Sequence, residues 1–171
     1  MKAYKFKRFD KGNGYTLIEL ILVIVVLGII SFTFAAFITK GIDAWVFVKT
    51  RDSAVGSARY AMNRVITEMR RIAGPESMII MSQTECSFEA FDKDGNIIIV
   101  DFRQSGDVLY RNNDELVDGL LNPGGIVFTY LDNEGVVTAV SSEVRSIRSK
   151  LSIEKHSQLV TLESAARIRN L

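Results

Sequence analysis

The chain has 171 residues, enough for one domain of ordinary size and an extension. Hydrophobic residues make up 47% of it, which is too low for a membrane protein with many spans. The net charge of +1 gives no indication of a polyanionic partner, and the single cysteine, Cys86, excludes an intrachain disulfide. The single histidine, His156, has no cysteine or histidine cluster around it, so no zinc site is expected.

The first 14 residues form a basic leader. Five Lys or Arg residues against Asp10 give this leader a net charge of +4 and leave −3 for the rest of the chain. Such an asymmetry predicts that the leader stays on the cytoplasmic side of a membrane. It ends in Lys11-Gly12-Asn13-Gly14, whose glycines make an accessible backbone that suits a protease. The composition leaves open the alternative of a cytoplasmic tail that is never cut.

An apolar run of 21 residues, 17–37, follows the leader, with Glu19 as its only charge. As a helix this run is about 31 Å long, which matches the hydrocarbon core of a bilayer. A charge inside a membrane span costs roughly 2.5–3.5 kcal/mol, so Glu19 is a candidate functional residue. The run is longer than the apolar part of an ordinary secretory signal, although a signal cut after Ala35 is an alternative.

The stretch Gly14-Tyr15-Thr16-Leu17-Ile18-Glu19-Leu20 resembles the class III signal of type IV pilins and type II secretion pseudopilins. The resemblance implies cleavage by a prepilin peptidase between Gly14 and Tyr15, N-methylation of Tyr15, and an assembly role for Glu19, the fifth residue after the cut. Tyr15 replaces the commoner Phe of this family, and Ala36 stands where many major pilins have a helix-kinking proline.

Glu19 has two candidate partners. Cleavage after Gly14 would create an α-amino group at Tyr15, which is mostly cationic at neutral pH. Because residues i and i+4 share a helix face, Glu19 could pair with the amine of its own chain. The alternative partner is the amine of a neighbouring subunit, which would set the register of assembly in a low-dielectric environment. The resemblance to filament subunits favours the neighbour.

Residues 38–73 are expected to continue as an amphipathic helix that ends before Gly74-Pro75, with a break near Gly41 as an alternative. The apolar positions predicted to form its packing face are Trp45, Val48, Val55, Met62, Val65, Met69 and Ile72. The predicted organisation is a cleaved leader at 1–14, a transmembrane and assembly helix at 15–38, an amphipathic helix at 39–74 and a β-rich periplasmic domain at 75–171.

Short strands separated by turn signals predict an antiparallel sheet domain, so the fold class is α+β. The predicted strands are Met78–Ser82, Glu85–Phe91, Asn96–Phe102, Val108–Arg111, Glu115–Val117, Ile126–Leu131, Val136–Val140, Ile147–Ile153 and Leu159–Ile168. Residues 91–96 read as a hairpin with Asp-Gly at its turn. Asp92, Asp94 and Asn96 also resemble the start of a calcium loop, but position 97 is Ile where such a loop requires Gly.

No catalytic motif stands out, so we expect a protein that is not an enzyme and binds no cofactor or metal. His156 lies in a polar turn, Cys86 lies in a strand pattern, and Gly124-Gly125 precedes a strand rather than the helix of a phosphate loop. Arg148 and Lys150 share a strand face, but without stacking aromatic residues they read as a solvated edge, so DNA binding is not expected.

Residues 55–72 resemble the helix of minor pilins of the pilus-assembly W type and of pseudopilins of the J type. The resemblance implies a minor pilin that helps to initiate or cap a type IV pilus, anchored in a bacterial inner membrane with its C-terminal domain in the periplasm. The implied partners are prepilin peptidase, other pilins and membrane lipid. A type II secretion pseudopilin and a membrane-anchored periplasmic binding domain are the alternatives.

Overall fold

A computed structural model describes residues 15–168 of the chain. The leader predicted at 1–14, including Gly14 of the predicted cleavage site, lies outside the described residues, as do residues 169–171. The chain divides into two compact units, Met1–Trp45 and Val46–Leu171.

One helix precedes two antiparallel sheets, which confirms the predicted α+β class. The helix, α1, is Leu17–Met69. The strands are β1 (Met78–Met81), β2 (Glu85–Phe91), β3 (Ile97–Ser105), β4 (Val108–Arg111), β5 (Asp114–Val117), β6 (Ile126–Leu131), β7 (Ser146–Lys155) and β8 (Gln158–Arg167). A five-stranded sheet has the order β1-β2-β3-β4-β5, and a three-stranded sheet has the order β6-β7-β8. Within each sheet, every pair of neighbouring strands is therefore also consecutive in sequence, and the longest connection, residues 132–145, lies between β6 and β7.

Helix α1 runs without interruption through Ala36 and Gly41. It ends at Met69, four residues before the predicted end at Ala73. The reason is tertiary, because the chain after Met69 joins β2 as a short antiparallel bridge. The backbone N–H of Ala73 donates to Glu89 O at 3.1 Å, and that of Phe91 donates to Arg71 O at 3.0 Å.

The first part of α1 is apolar and exposed in the isolated chain. Its most apolar 18-residue window has a mean hydropathy of 2.9, and none of that window is buried. A helix of this length and composition fits a single-pass membrane anchor, because a membrane span needs about 20 apolar residues.

The second part of α1 buries a face that the sequence pattern predicted only in part. Met62, Val65 and Met69 are buried as expected, whereas Trp45 and Val48 are 62% and 55% exposed, so the predicted face was wrong at these two positions. Three alanines that the pattern omitted complete the face: Ala54, Ala58 and Ala61, each fully buried. These positions do not stand out in a pattern of large apolar residues, which is why the prediction missed them.

The segment Val136–Val140 is not a strand, contrary to the prediction. Val137 forms only an isolated bridge with Leu131, and Asp132 closes a tight turn between them. The Asp132 carboxylate accepts the backbone N–H groups of Glu134 and Val136 at 2.8 and 2.9 Å. These local bonds hold the segment in a loop, and Val136 and Val137 remain more than half exposed.

The two sheets share one core within residues 46–168. Phe88 and Phe102 from the five-stranded sheet and Phe128 from the three-stranded sheet belong to the same buried cluster. The Gln104 side chain joins the sheets, because its amide donates to Leu121 O at 2.9 Å and accepts the backbone N–H of Ile126 at 3.0 Å.

Candidate functional site

The candidate site is the start of α1. Tyr15 and Thr16 precede the first helical residue, Leu17, and have no regular secondary structure. The Tyr15 side chain is 90% exposed. Cleavage is predicted at the peptide bond on the N-terminal side of Tyr15. Tyr15 is accessible and is not part of the helix, and such positions are the usual sites of proteolysis.

Glu19 is bound by Thr16. The Glu19 Oε2 atom accepts the backbone N–H of Thr16 at 2.8 Å and its hydroxyl at 3.0 Å. In return, the Thr16 Oγ1 atom accepts the backbone N–H of Glu19 at 3.3 Å. This reciprocal arrangement is a capping box, in which two backbone N–H groups of the first turn gain acceptors.

The capping box was not predicted, although its sequence signal, Thr-x-x-Glu at positions 16–19, was present. Only charge partners were predicted for Glu19. The structure adds Thr16 as a third partner, one that also explains why α1 begins at Leu17.

The arrangement leaves half of the carboxylate open. Both bonds from Thr16 go to Oε2, and within residues 15–168 no hydrogen bond is made to the Oε1 atom of Glu19. Tyr15, Glu19 and Val23 line one surface of unit 1, as their four-residue spacing requires. The Oε1 atom can therefore accept a further donor on the exposed side of the helix.

The other predicted candidates are structural. The Asp92 carboxylate accepts the backbone N–H groups of Asp94 and Asn96, both at 2.8 Å, and its pKa is held below its usual range chiefly by the bond from Asn96. These bonds close the predicted hairpin turn. Among the described residues, no group of three or more His, Cys, Asp or Glu side chains could hold a metal ion.

Cys86, His156 and Arg148 lie in three different elements of the sheets. Cys86 is fully buried on β2, and His156 lies in the two-residue turn between β7 and β8 with φ of 50°. Arg148 pairs with Glu163 on the neighbouring strand at 3.4 Å, so its charge is partly offset on that face.

Comparison with known families identifies the class of signal. Residues 10–34 match the family model of the prokaryotic N-terminal methylation motif. The chain therefore carries a type IV pilin-like signal, and this motif implies processing by prepilin peptidase and assembly with other pilins. No curated protein and no solved structure matches the chain.

Proposed function

We propose that this protein is a minor pilin, a structural subunit and not an enzyme, which helps to initiate or cap a type IV pilus from the inner membrane. The observation that carries the proposal is the methylation motif at residues 10–34 on a long apolar helix that continues into a β-rich unit. Cys86 supports a minor role, since the resemblance implies that a bulk subunit often has a disulfide-closed loop, which a single cysteine cannot form.

Maturation would begin between Gly14 and Tyr15. The peptidase would reach this bond because Tyr15 is exposed and precedes the helix. The cut frees an α-amino group at Tyr15, which is then methylated. The basic leader, with its five Lys and Arg residues, would remain in the cytoplasm and place residues 46–171 in the periplasm.

Assembly would use the open side of Glu19. Its Oε2 atom stays bound to Thr16, while Oε1 accepts the Tyr15 ammonium group of a neighbouring subunit. Inside a bundle of apolar helices the effective dielectric constant is low, so this attraction is stronger than at a water-exposed surface. The pairing would fix the axial register between neighbouring helices.

The intact mass of the protein from a host with prepilin peptidase tests the maturation step. We expect a chain that begins at Tyr15 and is heavier by one methyl group. A Gly14→Val variant should keep its leader because the peptidase requires the small residue. An uncut natural chain, or a chain that begins at Ala36, would refute the pilin assignment.

Two variants separate the capping role of Glu19 from its charge. Glu19→Gln keeps an acceptor for Thr16, since glutamine also serves in a capping box, but it removes the negative charge. We expect it to be cleaved and inserted normally yet to assemble poorly, as Glu19→Ala should. Thr16→Ala removes the cap and keeps the charge, so it should assemble. Normal assembly of Glu19→Gln would exclude the charge pairing.

Deletion of the gene distinguishes the two filament roles. A minor pilin is expected to be needed for surface pili, whereas a type II secretion pseudopilin is expected to be needed for release of secreted proteins. Loss of secretion with pili intact would favour the pseudopilin, whose helix pattern residues 55–72 also resemble.

A further inference from the structure

Three of the four sheet edges are protected against pairing with another strand. Strands β1 and β5 are four residues long, and each has a register shift against its neighbour. The outer edge of β6 is covered, because the backbone N–H of Phe128 donates to Gln83 O at 2.8 Å and that of Thr138 donates to Tyr130 O at 3.0 Å. Short strands, irregularities and covering loops are the usual means of blocking an edge.

The fourth edge, β8, has none of these protections. It is ten residues long and pairs with β7 along its whole length without a bulge. It contains neither proline nor lysine. Within the described part of unit 2, residues 46–168, no segment bonds to its outer side. A long regular edge of this kind is a template for another strand.

The direction of the backbone groups on β8 follows from its pairing. The two-residue turn at His156 and Ser157 makes Gln158 a bonded partner of Lys155, and bonded residues then alternate along the strand. The backbone N–H of Ile168 donates to Arg145 O at 3.0 Å, which agrees with this alternation. The odd-numbered residues from 159 to 167 therefore direct their N–H and C=O groups outward.

Half of the ten side chains on β8 are apolar. Leu159 is 59% exposed, and Val160 and Leu162 are only partly covered where they pack against the core. The Glu163 carboxylate is already engaged by Arg148. An added strand would thus gain backbone hydrogen bonds and also cover apolar surface that the single chain leaves accessible.

We propose that β8 is a dimerisation edge that pairs antiparallel with β8 of a second copy of this chain. In such a pair, directly opposite residues of the two β8 strands must lie on the same face of the combined sheet. Only odd-numbered residues direct their backbone groups outward, so each odd-numbered residue must lie opposite an odd-numbered residue of the other copy. Two registers satisfy both conditions and overlap nine residues of the strand, one centred on Leu162 and one on Glu163.

Charge selects between these registers. A twofold axis (dyad) that passes through the pair at Glu163 places the two Glu163 side chains directly opposite each other, which is unfavourable because like charges repel. A dyad at Leu162 places Leu162 opposite its own copy, Thr161 opposite Glu163, and Leu159 opposite Ala165, so no charge faces a like charge. The strand is therefore self-complementary about Leu162, as a twofold interface requires.

Disulfide trapping in the full-length chain tests this register. At the dyad the two Leu162 positions form a non-hydrogen-bonded pair, with Cα atoms about 4.5 Å apart, which is within the range of a disulfide. We expect Leu162→Cys, in a Cys86→Ser background, to give a reducible dimer when membranes are oxidised with copper phenanthroline. If Cys86→Ser fails to fold, the same variant is made with the buried Cys86 retained.

Leu159→Cys is the matched control. Leu159 is on the same strand and highly exposed, but in the proposed register it lies six residues from its own copy. Random collision would cross-link Leu159→Cys at least as well as Leu162→Cys, whereas the proposed interface cross-links only the latter. Ala165→Pro added to Leu162→Cys removes an outward N–H without breaking a bond to β7, so it should abolish the dimer.

Equal cross-linking at both positions, no dimer at either, or capture of a different protein by Leu162→Cys would overturn the proposal. These outcomes do not depend on the pilin assignment, because the mature mass of the protein is measured separately.

Discussion

Cys86 lies on β2 opposite Phe102 and is fully buried. Burial raises the pKa of its thiol to about 12, since the surrounding apolar groups disfavour the thiolate. Burial also raises the pKa of the Tyr130 phenol, whose hydroxyl donates to Ser82 O at 3.1 Å. Because the thiolate is the reactive form, Cys86 is a core side chain rather than a nucleophile.

We expect Cys86 to be unreactive in the folded protein at pH 8 and to react fully after unfolding in urea. A chromogenic disulfide reagent measures this directly, and Ile97→Cys, at a position that is 59% exposed, should react at once in the folded state. Because the folded state disfavours the thiolate, the free energy of unfolding depends on the pH. The contribution of the neutral thiol to stability is complete below the pKa of the unfolded state, about 8.5, and it is lost as the pH rises towards the pKa of the folded state, about 12. Rapid labelling of the folded natural chain would contradict the burial.

At the scale of elements, one ionic cluster joins α1 to the five-stranded sheet. The Glu68 carboxylate, 3% exposed, accepts the Arg111 Nε–H of β4 at 2.8 and 2.9 Å through its two oxygens. Arg64, one helical turn earlier, contacts the same carboxylate from the solvent side. Since β4 is far from α1 in sequence, this cluster fixes the position of the helix on the sheet.

Glu68→Ala is expected to lower the free energy of unfolding by about 3 kcal/mol, because it leaves the Arg111 charge largely buried without its partner. Arg64→Ala removes a side chain that is 48% exposed, so it should cost less than about 1 kcal/mol. Urea unfolding of residues 46–171, followed by circular dichroism, measures both values. Equal effects of the two variants would show that burial of Glu68 does not matter.

At the scale of the whole molecule, the complete buried core lies in the second unit. Every buried hydrophobic side chain among the described residues falls between Ala54 and Ile168, and unit 2 begins at Val46. The apolar side chains at positions 15–45, by contrast, are exposed in the isolated chain. This separation fits a single-pass membrane anchor followed by a unit that has its own buried core.

We expect a chain of residues 46–171 to be soluble and to unfold in one cooperative transition, because none of the side chains described between positions 15 and 45 belongs to the buried core. The full-length chain should require detergent. Calorimetry and extraction of membranes test the two statements. A fragment that aggregates or lacks a cooperative transition would indicate that unit 1 contributes to the core.

Features that depend on local chemistry can be read from short stretches of the sequence. The apolar run, the methylation motif with Glu19, the helix followed by strands and the Asp-Gly turn at residues 94–95 all follow from composition and short-range spacing. The periods of 3.6 and 2 residues separate helix from strand without knowledge of the fold.

Tertiary structure decided what depends on contacts between distant residues. The helix ends at Met69 because residues 71–73 join β2, and its buried face includes three alanines that a pattern of large apolar residues does not mark. Residues 136–140 have the composition of a strand, but they contact β6 only through the bridge of Val137 with Leu131 and the bond from Thr138 to Tyr130, so they remain a loop. The open edge of β8 exists only because the order of the sheet places it last, a consequence of pairing that no single segment encodes.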